Sequence, residues 1–365
     1  MTYDIAIIGA GCAGLSLAYQ IAKIKNQNKK IIILDNKKEF KKDRTWSFWK
    51  VKAHDFEDCL EKQWSKFDIK LNDKIKLFDQ TQYSYQTIDS LKFYHKVRDQ
   101  LTESFTIKLD TTIDTIETLP DYYQLKTSKE NINAKIIFDS RVPPLKTGQL
   151  YQHFYGIEIE TTENVFDEEK VTLMDFDCNP KDGVHFFYTL PFKKNKALIE
   201  TTWLSNLNDL NKEQYVDELN HYIKNNYNLK NFNIIREEMG AIPMFRTQYQ
   251  NSKNYFNIGL RGNVNRMSTG YAFPYIQNQS RMIAHSLENL TVKSPISSKY
   301  EFLDRLFVKV LQKNVTQMPS IFFKLFDTHS QDHVIRFLSS SGTLYDDFKI
   351  ISKMPKLIFL KGLLS

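Results

Sequence analysis

Residues 4–35 constrain the fold more than any other part of the chain. Asp4-Ile-Ala-Ile-Ile8 is a short apolar run of the kind that makes a buried parallel strand. Gly9-Ala-Gly11-Cys12-Ala-Gly14 follows, then Leu15–Lys23 with helical periodicity, then Ile31-Ile-Ile-Leu34, ended by Asp35. Strand, glycine-rich turn, helix, strand and acid each have a task in holding a dinucleotide. Gly9 permits the tight turn, Gly11 lets a pyrophosphate reach the backbone beside Cys12, and Gly14 lets the helix pack on the sheet. The helix N-terminus offers free N–H groups to the phosphates. Asp35, 21 residues beyond Gly14, suits a ribose diol and disfavours a 2′-phosphate, so the motif points to FAD or NAD rather than NADP. Its place near residue 1, with Arg44-Thr-Trp46-Ser-Phe48 close behind, favours FAD, Arg44 serving the phosphate or ribityl region.

The remaining chain sets bounds. At 365 residues it holds two domains or one large one. A 41% apolar and 25% charged composition excludes a disordered chain and a polytopic membrane protein. The net charge of +7 is spread over scattered lysines, which suits an anionic surface or phosphorylated cofactor but no dedicated nucleic-acid reader. Cys12, Cys59 and Cys178 are odd in number and form no C-x-x-C, which argues for a reducing, cytoplasmic setting. No signal-peptide pattern and no run of 18 apolar residues is present. The histidines form no H-E-x-x-H, and no G-x-S-x-G elbow occurs, so neither metal nor serine-nucleophile chemistry is expected.

The pattern along the chain predicts an α/β, two-domain flavoprotein: a Rossmann-type FAD-binding domain, an antiparallel-sheet substrate domain and C-terminal helices. The FAD-binding domain is expected from residues 1–50, 86–150 and 236–295, the substrate domain from 51–85 and 151–235. Residues 296–365 are expected to form a helical region that either contacts a membrane or packs on the domain. A helix follows the N-cap Asp89, strands alternate through 150–204, and 212–228 is helical. The glycines of Phe256–Gly262 and the turn Thr269-Gly270-Tyr271 sit where a second piece of flavin-binding backbone belongs, which adds Gly262, Thr269 and Gly270 to the cofactor residues.

These residues together resemble the FAD-dependent lycopene β-cyclases of bacterial and plant carotenoid pathways. The resemblance rests on the N-terminal glycines, Arg44-Thr-Trp46-Ser-Phe48-Trp, Phe138-Asp-Ser-Arg141, Gln152-His-Phe154, Phe186-Phe-Tyr-Thr-Leu-Pro191, Leu198-Ile-Glu200-Thr-Thr, Arg236–Pro243 and Thr269-Gly270-Tyr271, in that order. Two segments depart from the family pattern: Arg266-Met-Ser268 stands in place of His-Pro-x, and Asp43-Arg44 in place of Asn-His.

The resemblance implies an isomerisation of lycopene, by way of γ-carotene, to β-carotene with no net redox. Reduced FAD assists, and NAD(P)H is the expected electron source. The ψ-end is protonated, the carbocation cyclises and a ring proton leaves. Such chemistry needs a carboxylic acid kept protonated by burial, and Glu200 matches the family's essential acid. It also needs cation-stabilising faces, for which Phe187, Tyr188, Trp203 and Tyr271 are candidates. The substrate is a lipid-soluble carotenoid, so the enzyme is expected at the inner face of a membrane, with Phe322, Phe323, Lys324, Leu325 and Phe326 on the headgroups. Glu237-Glu238 reads as a carboxylate pair or as a structural, cofactor-adjacent segment. The competing readings are a redox flavoenzyme on the same fold, a hydroxylase or prenyl reductase, and a non-catalytic FAD-binding carotenoid carrier. Whether one or both ends close, β or ε, and the oligomeric state are not encoded legibly.

Overall fold

The computed structural model describes residues 2–79, 81–178, 183–207 and 211–363. Thr2–Ile8 lies at the centre of the first sheet, flanked in parallel by Ile31–Leu34 and Asn131–Asp139. Phe105–Lys108 extends the parallel part on one side and Tyr255–Asn257 pairs the end of Asn131–Asp139. Tyr123–Thr127 and Ile113–Thr118 add an antiparallel edge. Every residue from Ile31 to Leu34 is fully buried, because helices Cys12–Ala22, Ser90–Gln100 and Phe273–His285 cover one face and the antiparallel extension covers the other. The helix Ser90–Gln100 starts where Asp89 accepts from the backbone N–H groups of Leu91 and Lys92, at 2.8 and 3.0 Å.

The second sheet runs in the order Asn233–Pro243, Gln149–Glu160, Lys196–Leu207, Val184–Lys193, Lys170–Asp175, Lys66–Leu71, Lys74–Phe78. Here the period of two decides which way each side chain faces. Ala197, Ile199 and Trp203 turn toward the helix Lys212–Tyr227. Leu198 and Leu204 turn the other way, toward the C-terminal helices Ser298–Lys313, Met318–Asp327 and Gln331–Leu338. A three-stranded sheet, Thr45–Trp49, Tyr85–Asp89 and Leu60–Trp64, bridges the two large ones.

The strand memberships move two expected boundaries. Asn233–Pro243 is an edge strand of the second sheet, paired along Gln149–Glu160, so residues 236–243 do not belong with the dinucleotide part. Thr45–Trp49 and Leu60–Trp64 share one sheet across the expected division at residue 50. The segment expected on headgroups is also corrected: Phe322, Leu325 and Phe326 are buried against the second sheet, where Phe326 meets Phe67 and Phe78 and Phe322 stacks on Phe176. An amphipathic pattern tells that one helix face is covered, not by what. The apolar tail ends in the helix Lys356–Leu363, and residues 364 and 365 lie outside the described residues.

Candidate functional site

One cavity of about 1330 Å³ runs from the glycine turn to the C-terminal helices. That exceeds the roughly 300–1,000 Å³ of a pocket for one small ligand and leaves room for two. Gly9, Gly11, Cys12, Asp35, Arg44, Thr269 and Gly270 line the cavity, as do Tyr188, Glu200 and Tyr271.

The dinucleotide end is shaped by what the glycines leave out. Gly9 has φ +99°, a left-handed backbone, and a Cβ there would stand 2.4 Å from Ser140 Oγ. Gly14 is off the wall, but a Cβ on it would fall 1.9 Å from the Gly9 carbonyl, so the helix sits as close as expected. A Cβ on Gly11 would meet nothing within 4 Å, which leaves the N-terminus of Cys12–Ala22 open to the cavity. Asp35 accepts from the N–H of Ala10 (2.6 Å) and of Lys37 (2.8 Å), which fixes its carboxylate beside the turn. Burial pushes the Cys12 thiol up, so it stays neutral there. Arg44 donates to the Met239 carbonyl at 2.9 Å, at the junction with the second sheet. A bare glycine turn, an open helix N-terminus and an acid at the second strand end fit a dinucleotide. Gly262 is not part of this wall. A Cβ on it would lie 2.3 Å from the Asn257 carbonyl, so it serves a tight turn while Leu260 reaches the cavity.

At mid-cavity four neighbouring strands contribute one level of residues. Gly156 pairs with Glu200 on one side and Glu238 on the other, and Tyr188 pairs with Glu200. Gly156 has no side chain, so the carboxyls of Glu200 and Glu238 lean over it from both sides. A Cβ on Gly156 would be 2.6 Å from Glu200 Cγ. Burial, and next the charge of Glu238, hold the Glu200 carboxyl well above the usual carboxylate range; Arg236 pulls the other way more weakly. Arg236 gives Nη1–H to Glu238 (2.8 Å), Nε–H to Glu158 (3.0 Å) and Nη2–H to Thr45 (2.7 Å). The cation therefore compensates Glu238, while burial and the neighbouring carboxyl favour the neutral form of Glu200. Glu238 Oε1 is buried without an N–H donor, and the Glu200 hydroxyl is the donor at hand. Two carboxyls and one proton form a shared acid.

Aromatic hydroxyls close the wall. Tyr188 donates to Tyr85 at 2.9 Å, and burial raises both phenols, as it pushes Tyr271 up to about 12. Phe186 joins them on the cavity side. Phe187 and Trp203 do not: the pleat turns them to the opposite face. Phe187 stacks on Tyr222 with centroids 3.9 Å apart, and Trp203 stacks on His185 at 4.0 Å and donates to Glu218 at 3.0 Å.

Glu237 and Glu238 are not a pair, because consecutive strand residues face apart; Glu237 is held by Lys212 at 2.6 Å and Glu238 by Arg236. The partner of Glu200 was thus missed, as were Gly156 and Arg236. The one local signal was a glycine inside the strand His153-Phe-Tyr-Gly156-Ile, which marks a close approach. Against the expectation that the histidines form no H-x-x-x-H, His329 and His333 do have that spacing of metal ligands. His329 Nε2 turns to the Ile350 carbonyl at 3.3 Å, and among the described residues no cluster of three or more His, Cys, Asp or Glu is placed to hold a metal. Arg266, where the resemblance expects a histidine, is buried and paired to Asp304 at 2.7 Å.

Comparison with known proteins follows the same line. A family model described as lycopene cyclase protein matches residues 4–363. A chloroplastic lycopene beta cyclase of Nicotiana tabacum is 24% identical over 315 residues, which cover 74% of this chain and 57% of that protein, so the match spans little more than half the relative's length. Among solved structures, a geranylgeranyl bacteriochlorophyll reductase-like protein of Thermoplasma acidophilum superposes with TM-score 0.66 at 12% identity, covering 99% of this chain and 98% of that one. A flavoprotein/dehydrogenase of Cytophaga hutchinsonii gives 0.65 at 11%, covering 100% and 99%. The shared fold is the Rossmann-type flavoprotein fold.

Proposed function

Because the chain belongs to the lycopene cyclase family, we propose that it closes the ψ-end groups of lycopene to β-ionone rings, by way of γ-carotene, through proton transfer without net redox. The observation that carries this reading is the buried Glu200 set against Glu238 across Gly156, in an apolar cavity continuous with the dinucleotide turn, where burial holds its carboxyl well above the usual carboxylate range. FAD would be held by Gly9, Gly11, Cys12, Asp35, Arg44, Thr269 and Gly270, with the first sheet and its helices as its main scaffold and the second sheet as the substrate wall. Reduced FAD would supply an electron-rich ring system that favours a nearby cation, with NAD(P)H as the expected electron source.

Glu200 gives its proton to the terminal double bond of the ψ-end, leaving a tertiary carbocation. The neighbouring double bond attacks it, a carbon–carbon bond closes the ring, and the charge moves to a ring carbon. The Glu200–Glu238 pair, now short of one proton, takes one from the ring and returns to its starting state. Mass and proton count balance. The faces of Phe186, Tyr188 and Tyr271 attract the cation. The Tyr188 hydroxyl is engaged with Tyr85 rather than free to trap it.

The test is expression in lycopene-accumulating bacteria, with product mass and spectrum read after extraction. Red cells turn orange with an isomass product, while Glu200→Gln leaves them red with flavin still bound. Loss of a positioned general acid removes about 10²–10⁴ in rate. A product heavier by oxygen or by hydrogen, or an active Glu200→Gln enzyme, ends the proposal.

A further inference from the structure

We propose that the helices Leu344–Lys353 and Lys356–Leu363 form the face on which this protein sits on an anionic lipid surface, with the cavity opening through that face. The inference rests on reading the cavity as a pocket for a water-insoluble polyene, and it moves the lipid contact away from the buried Phe322, Leu325 and Phe326.

Leu344, Phe348 and Ile351 recur at spacings of four and three, and Leu357, Leu360 and Leu363 at spacings of three, so each helix has one apolar stripe. Among the described residues no element covers these stripes. Leu344 is 79% exposed, Leu357 75% and Phe348 70%, with Ile351, Leu360 and Leu363 about half exposed. Apolar residues grouped this way mark an interaction surface rather than ordinary scatter. Phe348, Ile351, Leu360 and Leu363 also line the cavity that contains Glu200. The same side chains are thus both outer surface and cavity mouth, and an oily substrate entering there never crosses water.

Charge selects the partner. From Leu344 to Leu363 the acidic residues are Asp346 and Asp347 alone, and both are buried and neutralised, Asp346 by Arg336 at 2.8 Å and Asp347 by Lys299. Lys353, Lys356 and Lys361 are exposed, and Lys349 partly so. Apolar stripes flanked by unopposed lysines are the pattern of a helix lying in a headgroup layer, and the lysines favour anionic lipid. No helix among the described residues is long and apolar enough to cross a membrane.

The test is co-sedimentation of the full chain with vesicles of phosphatidylcholine alone and of phosphatidylcholine with phosphatidylglycerol. The protein is expected to pellet with the anionic vesicles, less so at high salt, and weakly with the neutral ones. Leu344→Ser with Leu357→Ser changes two side chains that are exposed and off the cavity wall. It is expected to weaken vesicle binding tenfold or more while flavin content, melting temperature and turnover of detergent-dispersed lycopene stay as in the parent. Lys353→Gln with Lys361→Gln is expected to remove most of the preference for anionic vesicles, roughly tenfold. The parent staying in the supernatant, or either pair binding as the parent does, overturns the assignment. A parent that self-associates and a leucine-pair variant that becomes monomeric give the face to a second copy instead. Vesicle binding needs no turnover, so a protein that binds through this face but leaves lycopene unchanged keeps the docking surface and loses the proposed reaction.

Discussion

Two buried carboxyls with a single cation between them set the chemistry at the residue scale. Arg236 stands on Glu238, so the proton resides on Glu200, whose raised pKa works against stability as pH rises. The native state keeps a proton that the unfolded chain releases near the ordinary value of about 4.5, so stability falls from there upward. Glu200→Gln removes that loss. The variant is expected to melt higher than the parent at pH 8 and to show no such gain at pH 4, a comparison made by melting curves across the range. Glu158 has the opposite sign. Burial raises it, but Lys196, Lys42 and Arg236 more than offset burial and hold it at about 2, so its contribution is present above about 4.5 and is lost as pH falls toward 2. Gly156→Ala places a Cβ 2.6 Å from Glu200 Cγ and is expected to cost about 1–3 kcal/mol by denaturant titration, with activity falling further than stability because the carboxyl pair is forced apart.

Elements decide which residues reach the site. A strand turns successive side chains to opposite faces, so Glu200 and Thr202 line the cavity while Thr201 and Trp203 meet the helix Lys212–Tyr227. The aromatic pair Phe187 and Tyr188 divides the same way. Phe187→Ala is expected to destabilise by about 3–5 kcal/mol through the vacated core, measured by denaturant titration, whereas Tyr188→Phe, which keeps the volume and the ring face but removes the hydroxyl that donates to Tyr85, is expected to cost about 1–3 kcal/mol with turnover largely kept. Helix ends were readable from local chemistry: Asp89 caps Ser90–Gln100 as its position suggested, and Asp89→Ala is expected to cost about 1 kcal/mol in the same measurement.

At the scale of the whole molecule, the C-terminal helices are tied to the turn that precedes Thr269. Arg266 reaches Asp304 with two bonds of 2.7 and 2.8 Å and Ser340 with one of 2.7 Å, while Ser268 donates to the same Asp304 at 2.6 Å. Arg266→Met leaves Asp304 buried without its cation and is expected to cost about 3–5 kcal/mol by equilibrium unfolding. The double variant Arg266→Met/Asp304→Leu is expected to recover much of this, since a buried pair is worth less than the penalty of breaking it. What the sequence determined by itself was everything carried by neighbours along the chain: the glycine turn with Asp35, the strand and helix periods, the Asp89 cap, and Glu200 set in an apolar strand. Spacing of a few residues fixes those through backbone sterics and local hydrogen bonds. Only tertiary structure decided that Glu238 rather than Glu237 joins Glu200, that Phe187 and Trp203 face away, and that Phe322, Leu325 and Phe326 are core while Leu344, Phe348 and Leu357 are surface. Those depend on strand register and on which layer covers which face, and both arise from contacts between residues tens to hundreds of positions apart.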